Sequence, residues 1–219
     1  MQLTRDAALS SSANKMKKIV LIGDSIRMIG YGKPVAARLA DEFEVWQPAE
    51  NCRFAKHTLR GVWDWKADIA GADIIHWNNG LWDICDIYGD GMFTSLDEYV
   101  ETILRLARLF KERASTVIFA TTTPVRPDNP YNKNSAIEKY NAAVVPKLME
   151  MGIVINDLYT PLSVDVQKYI SDDKIHLSAE GILLAADMVE SVIRREAAKL
   201  GSSSNDEGAS ENASDGAPV

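Results

Sequence analysis

Lys18-Ile19-Val20-Leu21-Ile22-Gly23-Asp24-Ser25-Ile26 is the stretch on which the reading of this chain turns. Ile19 to Ile22 form an apolar, largely β-branched run, the pattern of a strand buried on both faces, and Gly23-Asp24 interrupts it with turn-forming residues. A serine hydroxyl is thereby set just past the carboxyl end of a strand. In an open parallel sheet, side chains at that place face the functional crevice, and exposed amides there hold negative charge. A Gly-Asp-Ser tripeptide also suits a simple turn or a helix cap, so the rest of the chain has to separate a nucleophile from a turn residue.

Outward from this segment, short β-rich runs at 18–23, 43–47, 73–78, 116–121 and 153–156 alternate with longer helix-patterned stretches. That alternation predicts parallel βαβ units, arranged as a three-layer α/β/α sandwich around a five-stranded parallel sheet. Ser95-Leu96-Asp97-Glu98 has the spacing of a capping box and opens a stretch with Leu96, Tyr99, Ile103, Leu106 and Phe110 at helical intervals. Ser135-Ala136-Ile137-Glu138 has the same spacing and predicts a helix ending at Gly152. Ser178 is the expected cap of a last helix reaching about residue 200. The connections 84–93 and 124–132 are the longest without a periodic pattern and are placed to lie over a site.

Composition narrows the function classes. With 219 residues, 46% hydrophobic and 25% charged, the chain is long enough for one good core, and a single catalytic domain over 18–200 is expected. Residues 1–17 read as a flexible segment, and 201–219 as a disordered, acidic, Ser/Gly-rich tail. The tail's four acids account for more than half of the formal charge of −7. A mildly acidic body with no basic run offers nothing to phosphate backbones, so nucleic acid is not an expected partner. Cys52 and Cys85 are too few for a disulfide framework and lack zinc-site spacing, so both are expected as free thiols with no metal. The polar first residues hold no apolar core of signal-peptide length and no run reaches membrane-spanning length, which predicts a cytoplasmic protein without a membrane partner.

A serine needs a base, and the chain has three histidines. Two have an aspartate three residues earlier, Asp73 before His76 and Asp173 before His176. Asp73 and His76 fall on one predicted strand, where residues three apart point to opposite faces, so that aspartate cannot orient that ring. Asp173 and His176 fall in the polar segment Ser171-Asp172-Asp173-Lys174-Ile175-His176, where a loop can fold the carboxylate onto the imidazole and stabilise the imidazolium. His57 has no acid at orienting spacing and reads as a loop or surface residue, and His76 as a packed core residue. An acyl-transfer site also needs donors for an oxyanion. Asn78-Asn79-Gly80, at the end of the third strand, offers two amides on a chain that can turn tightly.

Taken together, these residues resemble the SGNH hydrolases, the GDSL-type esterases and lipases with a flavodoxin-like fold. Gly23-Asp24-Ser25-Ile26 is similar to the family's first block and Asp173-Lys174-Ile175-His176 to its last, and the resemblance spans residue 18 to about 197. It implies that Ser25 is the nucleophile, His176 the base and Asp173 its orienting acid, with no cofactor. The family's third block, commonly Gly-x-Asn-Asp, reads here Gly80-Leu81-Trp82-Asp83, with tryptophan in the place of the oxyanion asparagine. Asn78-Asn79-Gly80 is similar instead to a branch whose asparagine precedes the glycine, and Asn78 is expected in that role over Asn79. The family's second block uses a glycine N–H. Glu50-Asn51-Cys52-Arg53-Phe54 has no glycine, and Cys52 N–H is the expected donor beside Ser25 N–H.

The implied activity is hydrolysis of carboxylic esters through an acyl-enzyme on Ser25. Trp63, Trp65, Trp77 and Trp82 fall near the expected crevice and suit stacking on a sugar ring, and no long apolar lid segment is evident. Short-chain esters, in particular O-acetyl groups on a carbohydrate, are the expected small-molecule substrates. Thioesters and lysophospholipids are the alternatives on the same fold, and Arg27, Arg53 and Arg126 are available to bind a substrate carboxylate. A non-catalytic flavodoxin-like binding module is the rival of another class. Nucleotide-binding loops are excluded, since Gly32-Lys33 is followed by Pro34 and no Gly-x-Gly-x-x-Gly follows the first strand.

Overall fold

The computed structural model describes residues 16–207. Five strands form one all-parallel sheet: β1 (Lys17–Ile22), β2 (Phe43–Trp46), β3 (Ala72–Trp77), β4 (Ala114–Ala120) and β5 (Val154–Asn156), in the order β2-β1-β3-β4-β5. Each lies within two residues of its expected span, and the buried run Ile19–Ile22 occupies an interior strand. Among the described residues there are seven α-helices, α1 (Gly32–Leu39), α2 (Ala55–Asp64), α3 (Leu96–Lys111), α4 (Asn134–Glu150), α5 (Tyr159–Ser163), α6 (Val166–Tyr169) and α7 (Ala179–Glu207), with a π-helical segment at Ile26–Tyr31 leading into α1. Packing of α1 on α7 and α7 on β3 makes one outer layer, and packing of α2 on α3 and α3 on α4 makes the other. The result is an α/β three-layer sandwich with flavodoxin-like strand order.

Three of the expected helix signals are met. The Ser95 hydroxyl accepts from the Glu98 amide at 3.4 Å, and Ser178 Oγ accepts from the Gly181 amide at 3.0 Å. Gly152 ends α4 with a φ of +75°, and the Gly152 and Ile153 amides donate to the carbonyls of Met149 and Leu148, the paired bonds of a Schellman end. The capping box at Ser135 does not form. Lys133 precedes α4 instead, the Asn134 amide is tied to both backbone groups of Val125, and Glu138 accepts from the Tyr159 hydroxyl at 2.6 Å. Ser135 thus lies inside the first turn and not at the cap position, and the Glu138 carboxylate that the box would use is taken by a tertiary partner.

The ends of the chain also differ from expectation. Lys17 opens β1 rather than closing a flexible segment, and α7 runs past residue 200 to Glu207. The remainder of the expected terminal segments, 1–15 and 208–219, lies outside the described residues. Among the described residues, no helix is long and apolar enough to cross a membrane.

The crevice of a doubly wound sheet opens where successive connections leave in opposite directions, here between β1 and β3. Register aligns the two strands so that Ile22 pairs with Trp77, and the Asn78 amide continues the ladder by donating to the Ile22 carbonyl at 3.1 Å. Everything just past Ile22 and Trp77 therefore meets at one place.

Candidate active site

Ser25 leaves β1 through Gly23-Asp24 and stands immediately before the π-helical segment, nearly buried. The turn is held from both sides. Asp24 Oδ1 accepts from the Ile26 amide at 2.9 Å and from Asn78 Nδ2 at 2.8 Å. Burial pushes the Asp24 carboxyl above its ordinary range, against the opposing pull of those two donors. The Arg27 guanidinium lies buried behind the turn and donates to the carbonyls of Gly23, Glu50 and Pro48, so it fastens the β2–α2 loop to the end of β1.

The partner of Ser25 comes from the other end of the chain. Nε2 of His176 lies 2.9 Å from Ser25 Oγ, and Nδ1 lies 2.6 Å from Asp173 Oδ2. A carboxylate on Nδ1 places the ring proton there and leaves Nε2 to accept from the serine hydroxyl. Local folding brings Asp173 onto His176: residues 170 and 177 form an antiparallel bridge, the Ser171 amide donates to the His176 carbonyl at 2.8 Å, and Lys174 takes a φ of +73° to reverse the chain. Desolvation opposes ionisation of Asp173. The amides of Ile175 and His176, the His176 ring and the Ser171 hydroxyl outweigh it and hold the carboxyl well below the usual range. Arg126 steadies the loop, donating to the Ile170 carbonyl and pairing with Asp172.

The two asparagines after β3 are used differently. Asn79 Nδ2 donates to the Arg53 carbonyl at 3.0 Å and to Thr58 Oγ1 at 2.9 Å, which commits both of its hydrogens to bracing α2. Asn78 Oδ1 accepts from the Tyr31 hydroxyl at 2.8 Å, and Nδ2 gives one hydrogen to Asp24. Its orientation is set by partners at both ends. Cys52 is a correction: its amide donates to the Gly23 carbonyl at 3.2 Å and its side chain is fully buried, where burial raises the thiol pKa. Asn51 and Phe54 are the residues of that block that reach the cavity, and Asn51 is the one of them with a polar side chain.

Sequence reading missed Asp83. Its buried carboxylate accepts from the Ala55 amide at 3.0 Å and the Thr94 hydroxyl at 2.9 Å, so it caps α2 from a distant segment and ties the 84–93 loop to it. Burial lifts its pKa to about 7. The aspartate closing the Gly80-Leu81-Trp82-Asp83 block was the available signal.

Several expected binding residues lie elsewhere. Trp77 is fully buried between Phe110 and Phe119, Trp65 packs against Trp46 and over Gly61, and Trp63 faces solvent beneath Lys66. Trp82 alone of the four lines the cavity beside Ser25. Arg27 and Arg126 are engaged by backbone carbonyls as described, while Arg53, at a φ of +46°, sits over the Trp82 ring at 5.9 Å. His57 lies on α2 facing Glu50 at 3.3 Å. His76 is a buried core residue whose Nε2 meets Asn156 Nδ2 at 3.1 Å, and desolvation drops its pKa to about 3.

Ser25 and His176 open onto a cavity of about 480 Å³, to which the 84–93 loop contributes Cys85, Ile87 and Phe93, and the 124–132 loop contributes Asn132. Both irregular connections thus border the site, as their position in the sequence suggested.

No protein-family model matches the chain, and no curated protein sequence matches it. Solved structures do. A lipase/acylhydrolase from Enterococcus faecalis superposes with a TM-score of 0.68 at 19% identity, covering 81% of this chain and 95% of that one. A GDSL-family lipolytic protein from Veillonella parvula gives 0.67 at 18%, covering 82% and 99%. An acetylxylan esterase from Geobacillus stearothermophilus gives 0.63 at 17%, covering 82% and 93%. The chain therefore has the fold of the SGNH, or GDSL-type, hydrolases.

Proposed function

We propose that this chain is a serine hydrolase of carboxylic esters, with Ser25 as nucleophile, His176 as general base and Asp173 as the acid that orients it. The reading rests on one observation: an unbroken hydrogen-bonded line from Ser25 Oγ through the His176 ring to Asp173, bordering a cavity. The likeness to lipase, acylhydrolase and acetylxylan esterase structures supports the same class of reaction.

In this mechanism His176 Nε2 takes the Ser25 proton as Oγ attacks the ester carbonyl, and Asp173 stabilises the imidazolium that forms. The alcohol leaves with the proton from His176. Water, activated by the same ring, then releases the acid from Ser25. The oxyanion is held by the Ser25 amide, the uncommitted hydrogen of Asn78 Nδ2, and Asn51 in the place first given to Cys52. Because Tyr31 and Asp24 fix the Asn78 amide from both ends, this donor needs no reorientation as charge develops.

A fluorophosphonate probe separates this reading from a non-catalytic binding module. Labelling of the wild-type protein at Ser25, absent from Ser25→Ala and accompanied by loss of p-nitrophenyl acetate hydrolysis, is the expected result. An unlabelled wild-type protein overturns the proposal.

A further inference from the structure

The cavity beside Ser25 falls within the ~300–1,000 Å³ range of small-molecule sites, at about 480 Å³. Its wall draws apolar side chains from several separate elements, among them Met28 and Ile29 of the π-helical segment, Phe54 just before α2, Ile87 and Phe93 of the 84–93 loop, and Ile175 of the loop before α7. Ile29, Ile87 and Phe93 each keep about half of their surface exposed, at 54%, 49% and 47%. Apolar side chains scattered over a surface need no explanation. These converge on one concavity, which marks a site for an apolar ligand.

Apart from Ser25 and His176, the polar side chains of the wall are few, Asn51 and Asn132, and each is engaged at one end. Asn132 donates from Nδ2 to the Leu81 carbonyl at 2.9 Å, and its backbone amide bonds Asn129. Asn51 Oδ1 accepts from the Arg53 amide at 2.8 Å. A sugar ring entering this space would surrender water at several hydroxyls and find few partners, whereas an alkyl chain gives up no hydrogen bond. The Trp82 ring is packed edge-on by Phe54, which in turn meets Phe93 at 5.5 Å between centroids, so the aromatic wall continues the apolar lining.

We infer that this cavity receives an unbranched alkyl chain of the ester, six to eight carbons long and on either its acyl or its alcohol side, in place of the acetyl-carbohydrate that the tryptophan count suggested. The inference rests on the ester-hydrolase reading for its chemistry, but the shape and lining of the cavity carry it.

Two series of esters test it. Across p-nitrophenyl acetate, butyrate, hexanoate and octanoate, kcat/KM is expected to rise about three- to fourfold per added methylene as each is buried. If the chain belongs to the alcohol half, the rise moves to the acetates of ethanol, butanol and hexanol. A flat or falling trend in both series overturns the inference. Ile87→Asp, with its fold checked by circular dichroism, is expected to flatten whichever trend is found, and an unchanged slope excludes this cavity as the seat of the chain.

Calorimetry of octanoate binding to Ser25→Ala supplies a readout independent of turnover. Heat of binding is expected, and its absence counts against the inference. Fluorophosphonate labelling of Ser25 with flat chain-length trends removes the alkyl site and leaves the hydrolase. Octanoate binding without labelling removes the hydrolase and leaves the site.

Discussion

Ser25 Oγ lies 2.9 Å from Nε2 of His176 across a separation of 151 residues, and the contact joins two segments that each carry their own short-range hydrogen bonds. One is the turn held by Asp24. The other is the loop held by Asp173, whose Oδ1 accepts from the Ile175 and His176 amides while Oδ2 faces the ring. Asp173→Asn keeps the shape of that loop but loses the charge that selects the ring tautomer. It is expected to lower kcat by roughly 10⁴-fold with little change in KM. Steady-state kinetics on a p-nitrophenyl ester would check this, and the double variant Ser25→Ala/His176→Ala should fall no further than Ser25→Ala alone.

The Tyr31 hydroxyl reaches Asn78 Oδ1 at 2.8 Å and so decides which end of the amide faces Asp24. Asn78→Ala is expected to reduce kcat by about 10²- to 10³-fold, the usual effect of deleting one oxyanion donor. Tyr31→Phe leaves the donor in place and only loosens it, so a smaller loss in kcat with KM retained is expected. A rise in KM alone in either variant would show that Asn78 acts in ground-state binding.

Gly23 is required by packing rather than by a special backbone angle. A Cβ built there would lie 2.0 Å from Asn78 Oδ1 and 2.8 Å from Arg27 Cβ, both of them buried and held by several bonds. Gly23→Ala is expected to destabilise the protein by about 1–3 kcal/mol or more, the range for overpacking. Urea denaturation should show the midpoint lowered, with activity per folded molecule lowered as well because Asn78 must shift.

Asp83 predicts a pH dependence with a definite sign. Its folded-state pKa, raised by burial to about 7, lies above the ordinary 3.8, so its contribution to stability is complete at low pH and is lost as pH rises through 7. Asp83→Asn keeps an oxygen for the Ala55 amide without the buried charge. Thermal melts at pH 5 and pH 8 should show a larger gain, or smaller loss, for the variant at pH 8.

His76 predicts the opposite slope. Desolvation lowers its pKa from 6.5 to about 3, so stability present above pH 6.5 is lost as the solution is acidified toward 3, when the unfolded chain binds a proton that the core refuses. His76→Gln is expected to flatten the fall in urea midpoint over that window. An unchanged slope would locate acid sensitivity in other groups.

Much of this molecule was legible in one dimension. The β-branched run Ile19–Ile22, the Ser95 and Ser178 caps and the Gly152 stop are settled by residues a few positions apart, and each stands where its pattern put it. The pairing of Asp173 with His176 is local in the same sense. Ser135 shows the boundary of such reasoning: its capping-box spacing is intact, yet the helix begins one residue earlier, where Asn134 is bonded to Val125, and Tyr159 takes the Glu138 carboxylate.

Cys52 and the tryptophans failed for a related reason. Whether the Cys52 amide is available depends on the Gly23 carbonyl, which arrives from another strand, and whether a tryptophan is wall or core depends on which helix packs over it. By itself the sequence determined the alternation of strands and helices, the placing of a serine at a strand's end, and the acid folded onto its histidine, because backbone preference and side-chain period act over a few residues. Only the tertiary structure decided that Ser25 meets His176, that Asn79 braces while Asn78 stays available, and that the neighbouring cavity is apolar, because strand register and the packing of distant segments set those contacts.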